Sequence, residues 1–411
     1  MSIIKPFRGY LPPTKLAKQI SSPPYDVLSS DEARKISSNN PYSFLRVIKP
    51  EIDFDTNNIS DDLNIHELGK KNLEKLINKG QLKQDKYPSF YIYQITMGTH
   101  SQTGVMAGTS VSEYNQNLIK KHEFTRPEKE NDRTLHINTI NANTGPVFLT
   151  FRNDGKFKSI IDDLIKDKPH ISFMADDNTE HILWKIESSK NILKIENYFL
   201  HISNLYIADG HHRAASAARV QKNRENTSLM HNGNESYNYF LSVIFPHDEM
   251  QILAYNRLVK DLNGLSENEF LQSLDSNFII TPITKQKPPS NNGNFSMLLD
   301  NHWYNIEIKE KIKSKDPVKG LDASILQNHI LYPILGIENP RTNKRIDFVG
   351  GIRGLIELER RCKIDSKVAF ALYPISIEDL LSVADADKTM PPKSTWFEPK
   401  LRSGLVVRDL N

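Results

Sequence analysis

Apolar residues in this chain fall into short runs separated by turn residues, a pattern that alternates strand and helix instead of favouring one of them. Runs at 90–95 and 103–111 flank Gly98-Thr99-His100-Ser101, which reads as a hairpin tip. Further strands are expected at 44–48, 145–151, 182–186, 205–208, 237–245 and 368–372. Helical spacing appears at 65–79, where Leu68, Leu73, Leu76 and Ile77 share a face and Gly80 is the stop. It recurs at 157–165, 325–334 and 377–383. Ser30-Asp31-Glu32 reads as a cap opening a short helix through Lys35. The early prolines, Pro6, Pro12, Pro13, Pro23 and Pro24, favour extended backbone.

Polar stretches at 50–62 and 221–236 read as loops, and Lys285 to Asn294 as the clearest breaker. Hairpin signals beside strand–helix turns predict an α+β fold with mixed sheets and flanking helices. At 411 residues two domains are expected. The division predicted is 1–284, carrying the chemistry described next, and a C-terminal α+β region at 295–411 that packs back on the site.

One stretch carries more ionisable chemistry than packing requires. The run Leu205 to Ala208 ends at Asp209-Gly210, followed at once by His211, His212 and Arg213, then by the small, helix-favouring residues Ala214 to Val220. A strand, a tight turn and a new helix place backbone N–H groups and the positive end of a helix dipole at one spot. Gly210 permits close backbone approach, and Arg213 can fork onto phosphate oxygens. The plainer alternative is a strand–helix turn with solvated side chains.

A second polar block runs from Lys121 to His136 with only Phe124 and Leu135 as large apolar residues. On a helix beginning near Pro127, Lys129, Asp132, Arg133 and His136 fall close to one face at i, i+3, i+4 and i+7. The alternative is an ordinary solvated helix. The two segments pool Glu123, Asp132, His136, Asp209, His211 and His212 with Arg126, Lys129, Arg133 and Arg213. Carboxylates and imidazoles can take a proton from a hydroxyl, and guanidinium and ammonium groups can cradle a phosphoryl group. The chain lacks a Gly-x-Ser-x-Gly elbow, a Walker-type loop and a His-Glu-x-x-His helix. A His-rich zinc hydrolase stays open, because the spacing is not diagnostic.

Composition narrows this further. With a net charge of +3, 38% hydrophobic and 25% charged residues, the chain suits a globular protein without a nucleic-acid face. Its single cysteine, Cys362, excludes an intramolecular disulfide and a cysteine-rich zinc site, and fits a cytoplasmic setting. Neither a signal peptide nor a membrane span is expected.

Together these residues resemble a widespread prokaryotic family known as a domain of unknown function. The resemblance rests on Lys5-Pro6-Phe7-Arg8-Gly9, Pro23-Pro24-Tyr25-Asp26-Val27, His122-Glu123 with Lys129-Glu130 and Asp132-Arg133, and Asn141 with Gly145-Pro146-Val147. The Asp209-Gly210-His211-His212-Arg213 box and the tail Met390-Pro391-Pro392-Lys393-Ser394-Thr395-Trp396-Phe397 complete it. The box is similar to that of free serine kinases in the ParB/sulfiredoxin-like superfamily. Ala214-Ala215 departs from relatives that carry a larger residue there.

The resemblance implies a ParB/sulfiredoxin-like core and a small-molecule kinase acting on a free hydroxylated metabolite, with L-serine the leading acceptor. Glu123, His136 and His211 would be catalytic, with Glu123 the first candidate base and Asp26 the second. Asp209, Gly210, His211, His212, Arg213, Arg126, Lys129 and Arg133 would hold phosphate or nucleotide. Asp26, Asn141 and Lys393 would contact substrate, and Asp132 and Asp209 would hold magnesium. ATP, ADP or pyrophosphate would be the donor. A nucleotide-binding ParB-like regulator and a phosphatase of phosphoserine-like substrates are the alternatives. The partners expected are a small-molecule substrate and a nucleotide or phosphate. Neither membrane nor nucleic acid is expected, and a homo-oligomer is compatible with the sequence.

Overall fold

The computed structural model describes residues 1–54 and 62–411. The chain forms two compact units, one of residues 1–250 with 399–411, the other of residues 251–398. Both mix helix and sheet, so the fold is α+β. No helix among the described residues is long and apolar enough to cross a membrane.

The first unit is built on a mixed sheet. Its strands run in the spatial order Ile119–Lys120, Leu205–Asp209, Val147–Phe151, Tyr239–Pro246, His100–Ser110, Phe90–Met97, Thr179–Ile186 and Ile171–Met174, with Ile4–Lys5 also pairing to His100–Ser110. Most neighbours are antiparallel. Leu205–Asp209 runs parallel to Ile119–Lys120, and Val147–Phe151 runs parallel to Tyr239–Pro246. The central strands are nearly all apolar because both faces are covered. One face buries Phe151, Phe157, Ile161, Ile195 and Phe199 from the sheet and the helices Phe157–Leu164 and Ser189–Leu200. A separate core, centred on Phe44, Leu45, Val47, Ile48, Leu73 and Leu76, holds the N-terminal helices.

A smaller sheet in the same unit joins distant parts of the chain. Gly9–Leu11 lies between Lys83–Gln84 and Val407–Asp409, and the latter pairs in turn with Ala142–Asn143. The chain's last residues are thereby fastened beside the end of the helix Pro127–Ile140.

The second unit has an antiparallel sheet in the order Phe278–Ile283, His302–Ile308, Asn294–Leu299, Val368–Leu372, Tyr255–Val259 and Ile346–Gly350. The breaker at 285–294 connects two of its strands. Trp396–Glu398, from the aperiodic tail, pairs with Gln251–Leu253, and the Trp396 ring stands edge-on to Tyr255 at 5.1 Å.

Several local expectations change. The strand expected at 44–48 is a helical turn, Leu45–Ile48, with Lys49 N–H donating to the Leu45 carbonyl at 2.8 Å. Phe44, Leu45, Val47 and Ile48 are all buried and Arg46 is the one polar position, too few to tell a helical from a strand period. The loop expected at 221–236 begins late, since the helix His211–Thr227 runs into it. Gln221, Lys222, Arg224 and Glu225 are good helix formers on a solvated face. Of the loop expected at 50–62, Pro50–Asp53 form a 3-10 turn, Asp62 opens the helix Asp62–Asn78, and 55–61 lie outside the described residues.

Candidate functional site

The strand Leu205–Asp209 is fully buried until its last residue. Its pairing with Val147–Phe151 slips between Ile207 and Asp209, placing Asp209 opposite Phe148. Such an irregularity re-aims a side chain at a strand end. Gly210 follows at φ +92°, a left-handed conformation that suits glycine, and the 17-residue helix His211–Thr227 begins. The Arg213 and Ala214 N–H groups both donate to the Gly210 carbonyl, closing the first turn.

Asp209 is tied down at both oxygens. Oδ1 accepts from the Gly210 N–H at 2.7 Å, and Oδ2 from Lys400 Nζ at 3.0 Å. Burial opposes its ionisation, but Lys400 and Arg213 override burial and hold the carboxyl well below the usual carboxylate range. The Arg213 guanidinium donates to the Pro146 carbonyl and pairs with Asp26 at 3.4 Å.

The second polar segment lies against this box. The helix Pro127–Ile140 packs on the box helix, with Ser216 Oγ donating to the Glu130 carbonyl at 3.0 Å. At its N-terminal end the Arg126 N–H donates to His212 Nε2 at 3.0 Å. His212 is thus read as the acceptor at Nε2, and desolvation lowers its affinity for a proton. Just before this helix, the His122 and His211 rings meet edge to face with centroids 4.5 Å apart. Potential ligand atoms of His122, Glu123 and His211 all lie within 4.8 Å of one another. Both histidines are buried, and burial pushes His122 down to about 4 and His211 well below its ordinary value.

A small pocket with room for about 30 Å³ opens beside the box, lined by Tyr25, Arg133, His136, Thr144, Arg213 and Ser403, among others. Arg133 lies over the Tyr25 ring at 4.2 Å and Arg213 sits 5.9 Å from the same ring, so one aromatic ring serves two guanidinium groups. Arg133 is buried and donates through Nε to Asp132 at 2.8 Å and through a terminal nitrogen to the Ile48 carbonyl at 3.3 Å. Asp132 also meets His66 Nε2 at 3.4 Å. Burial opposes the Asp132 charge, but His66 and Arg133 hold it well below the usual range. His136, whose Nε2 lies 3.2 Å from Thr144 Oγ1, is held neutral by burial and by Arg133. Gly145 packs closely here: a Cβ would come within 2.9 Å of Ser403 Oγ, so that hydroxyl would have to shift.

The structure therefore brings together Asp26, Asp132, Arg133, His136 and Arg213 around the pocket, and Glu123, Asp209, Gly210, His211 and His212 at the box. Arg126 and Lys129 sit exposed at the start of their helix. Asn141 caps that helix in a left-handed conformation; its side chain accepts from Arg224 at 2.7 Å and donates to Asn411 at 2.6 Å. Lys393 belongs to the second unit, where its ammonium lies 5.4 Å from the Tyr255 ring centre. Asp132 and Asp209 each engage cationic or N–H donors at both oxygens. Sequence reasoning missed Lys400, Tyr25 and His66, and passed over His122 as a site residue. The signal for Lys400 was an aperiodic tail rich in aromatics and prolines.

The family model described as "Protein of unknown function (DUF1015)" matches residues 4–324. The chain belongs to this family. No curated protein matches this DUF1015 member. Among solved structures it is similar to a glutamate-to-glutamine variant of a free serine kinase in complex with AMP, at 12% identity and a TM-score of 0.36, covering 74% of this chain and 92% of that one. It is similar to SbnI with a C-terminal truncation from Staphylococcus aureus, at 12% identity and a TM-score of 0.37, covering 71% and 82%. A conserved hypothetical protein from Pyrococcus furiosus matches at 13% identity and a TM-score of 0.35, covering 75% and 95%.

Proposed function

We propose that this DUF1015 chain is a small-molecule kinase that transfers a phosphoryl group to a free hydroxylated metabolite, with L-serine the first acceptor to test. One observation carries the reading: the ionised Asp209 and the guanidinium of Arg213, which pairs with Asp26, sit at the first turn of a long helix beside a pocket. Such a helix end favours anions, and Arg213 presents a planar fork for phosphate oxygens. Arg133 and Arg213, spread on one tyrosine ring, supply positive charge that needs no reorganisation as the transferred group passes. Asn143, Thr144 and Ser403 give the pocket the polar lining an amino acid requires.

Of the two candidate bases, we assign Asp26. Its side chain is 35% exposed and it pairs with Arg213 at the box, where an acceptor hydroxyl and a donor phosphate would meet. Asp26 takes the hydroxyl proton as the oxygen attacks the donor's terminal phosphorus, and the donor leaves one phosphate shorter. Magnesium would enter with the donor, held by its phosphates.

The test is phosphorus NMR of the purified chain with L-serine, magnesium and ATP, ADP or pyrophosphate in turn, alongside Arg213→Gln. A phosphoserine signal with one donor, lost in the variant, supports the reading and names the donor. Absence of transfer to serine or related alcohols with every donor overturns it. Phosphate release from phosphoserine without an acceptor would redirect the same site to hydrolysis.

A further inference from the structure

The cluster His122, Glu123 and His211 has chemistry that phosphate binding does not explain. Its three side chains converge from two separate segments, the turn after Ile119–Lys120 and the first residue of the box helix. Their potential ligand atoms lie within 4.8 Å of one another. His122 and His211 are 2% and 6% exposed, yet neither ring nitrogen of His122 nor Nε2 of His211 has a hydrogen-bond partner. The Ile207 carbonyl lies close enough to His122 to bias where its proton sits without completing a hydrogen bond. Buried polar atoms are nearly always satisfied, so two buried imidazoles with orphaned nitrogens, each offering one ligand atom to the same cluster, call for a partner.

We infer that His122, Glu123 and His211 form a binding site for a divalent transition-metal ion of the zinc class. Two neutral imidazoles and one carboxylate are the donor set such ions prefer, whereas magnesium prefers oxygen ligands. The Ile207 carbonyl would take the second-shell place that orients a ligating imidazole. Three protein ligands leave a coordination position open. This site is independent of the kinase reading, since it is defined without donor or acceptor.

The experiment is calorimetric titration of metal-stripped full-length protein with Zn2+. One ion per chain is expected. His122→Asn, His211→Asn and Glu123→Gln should each weaken binding by about 10–100-fold or more, while the exposed His201→Ala leaves it unchanged. Binding that ignores the three substitutions, or no binding, overturns the site. Should the variants fail to fold, pulsed EPR of the Cu2+-loaded wild-type chain decides. Imidazole nitrogen couplings support the site, and an all-oxygen environment removes it. Phosphoryl transfer is measured separately, so a failed metal titration leaves the kinase reading standing, and the reverse.

Discussion

Asp209 and Lys400 stand 191 positions apart in the chain and 3.0 Å apart in space. Their pairing joins the end of a central strand to the segment that returns to the first unit after residue 398. It also keeps an aspartate charged where burial would otherwise favour its neutral form. The box is therefore completed from the far end of the sequence.

Asp209→Asn should cost about 1.5–3 kcal/mol at pH 7, the usual contribution of hydrogen bonds to a charged group. The folded carboxyl is depressed, so its stabilisation is present above the unfolded value of about 4 and is lost as pH falls below it. Urea unfolding of both proteins should show their difference shrinking below about pH 4. A difference constant down to pH 2 would show that Lys400 does not stabilise the charge.

Asp26→Asn should lower kcat by about 10²–10⁴-fold if Asp26 takes the hydroxyl proton. Donor KM should change little, since the phosphate contacts assigned to Arg133 and Arg213 remain. Steady-state kinetics with the donor named by phosphorus NMR decide this. A KM effect with kcat intact would reduce Asp26 to a positioning partner of Arg213.

His181 offers a pH test away from the site. Arg402 Nε donates to His181 Nε2 at 3.1 Å, so Nδ1 carries the proton and donates to Tyr93 Oη at 2.8 Å. Burial and the neighbouring Arg402 push this imidazole down to about 3. Its folded value lies below the unfolded one, so stability falls as pH drops from about 6.5 towards 3. In His181→Gln that part of the decline should vanish. Chemical denaturation at stepped pH, with histidine NMR titration, reads it directly.

Gly210→Ala should destabilise the chain by about 1–2 kcal/mol through backbone strain, because Gly210 holds φ at +92°. Space is not the obstacle: the added Cβ would meet Arg213 and Val147 at an ordinary 3.5 Å. Weakened phosphate binding should accompany the loss, since the turn aims Arg213. Thermal unfolding and phosphate titration check both effects; an unstrained, fully active variant would remove the turn's special status.

The sequence alone determined the pieces whose cause is local. Gly210 after a buried run and before small helix formers specified a strand, a tight turn and a helix, and the structure has Leu205–Asp209 followed by His211–Thr227. Pro127 specified where its helix begins. The box and the polar helix were legible because ionisable residues on a tight turn or a shared face have no packing purpose. Phe44 to Ile48 misled because a five-residue run with Arg46 as its one polar position is too short to show a period. Only the tertiary structure decided which charges meet. Lys400 reaches Asp209, Asp26 reaches Arg213, and Tyr25 lies under Arg133 because sheet pairing and chain return bring distant segments within a few ångströms. Electrostatic and coordination contacts act over such distances in space, and no spacing along the chain records them.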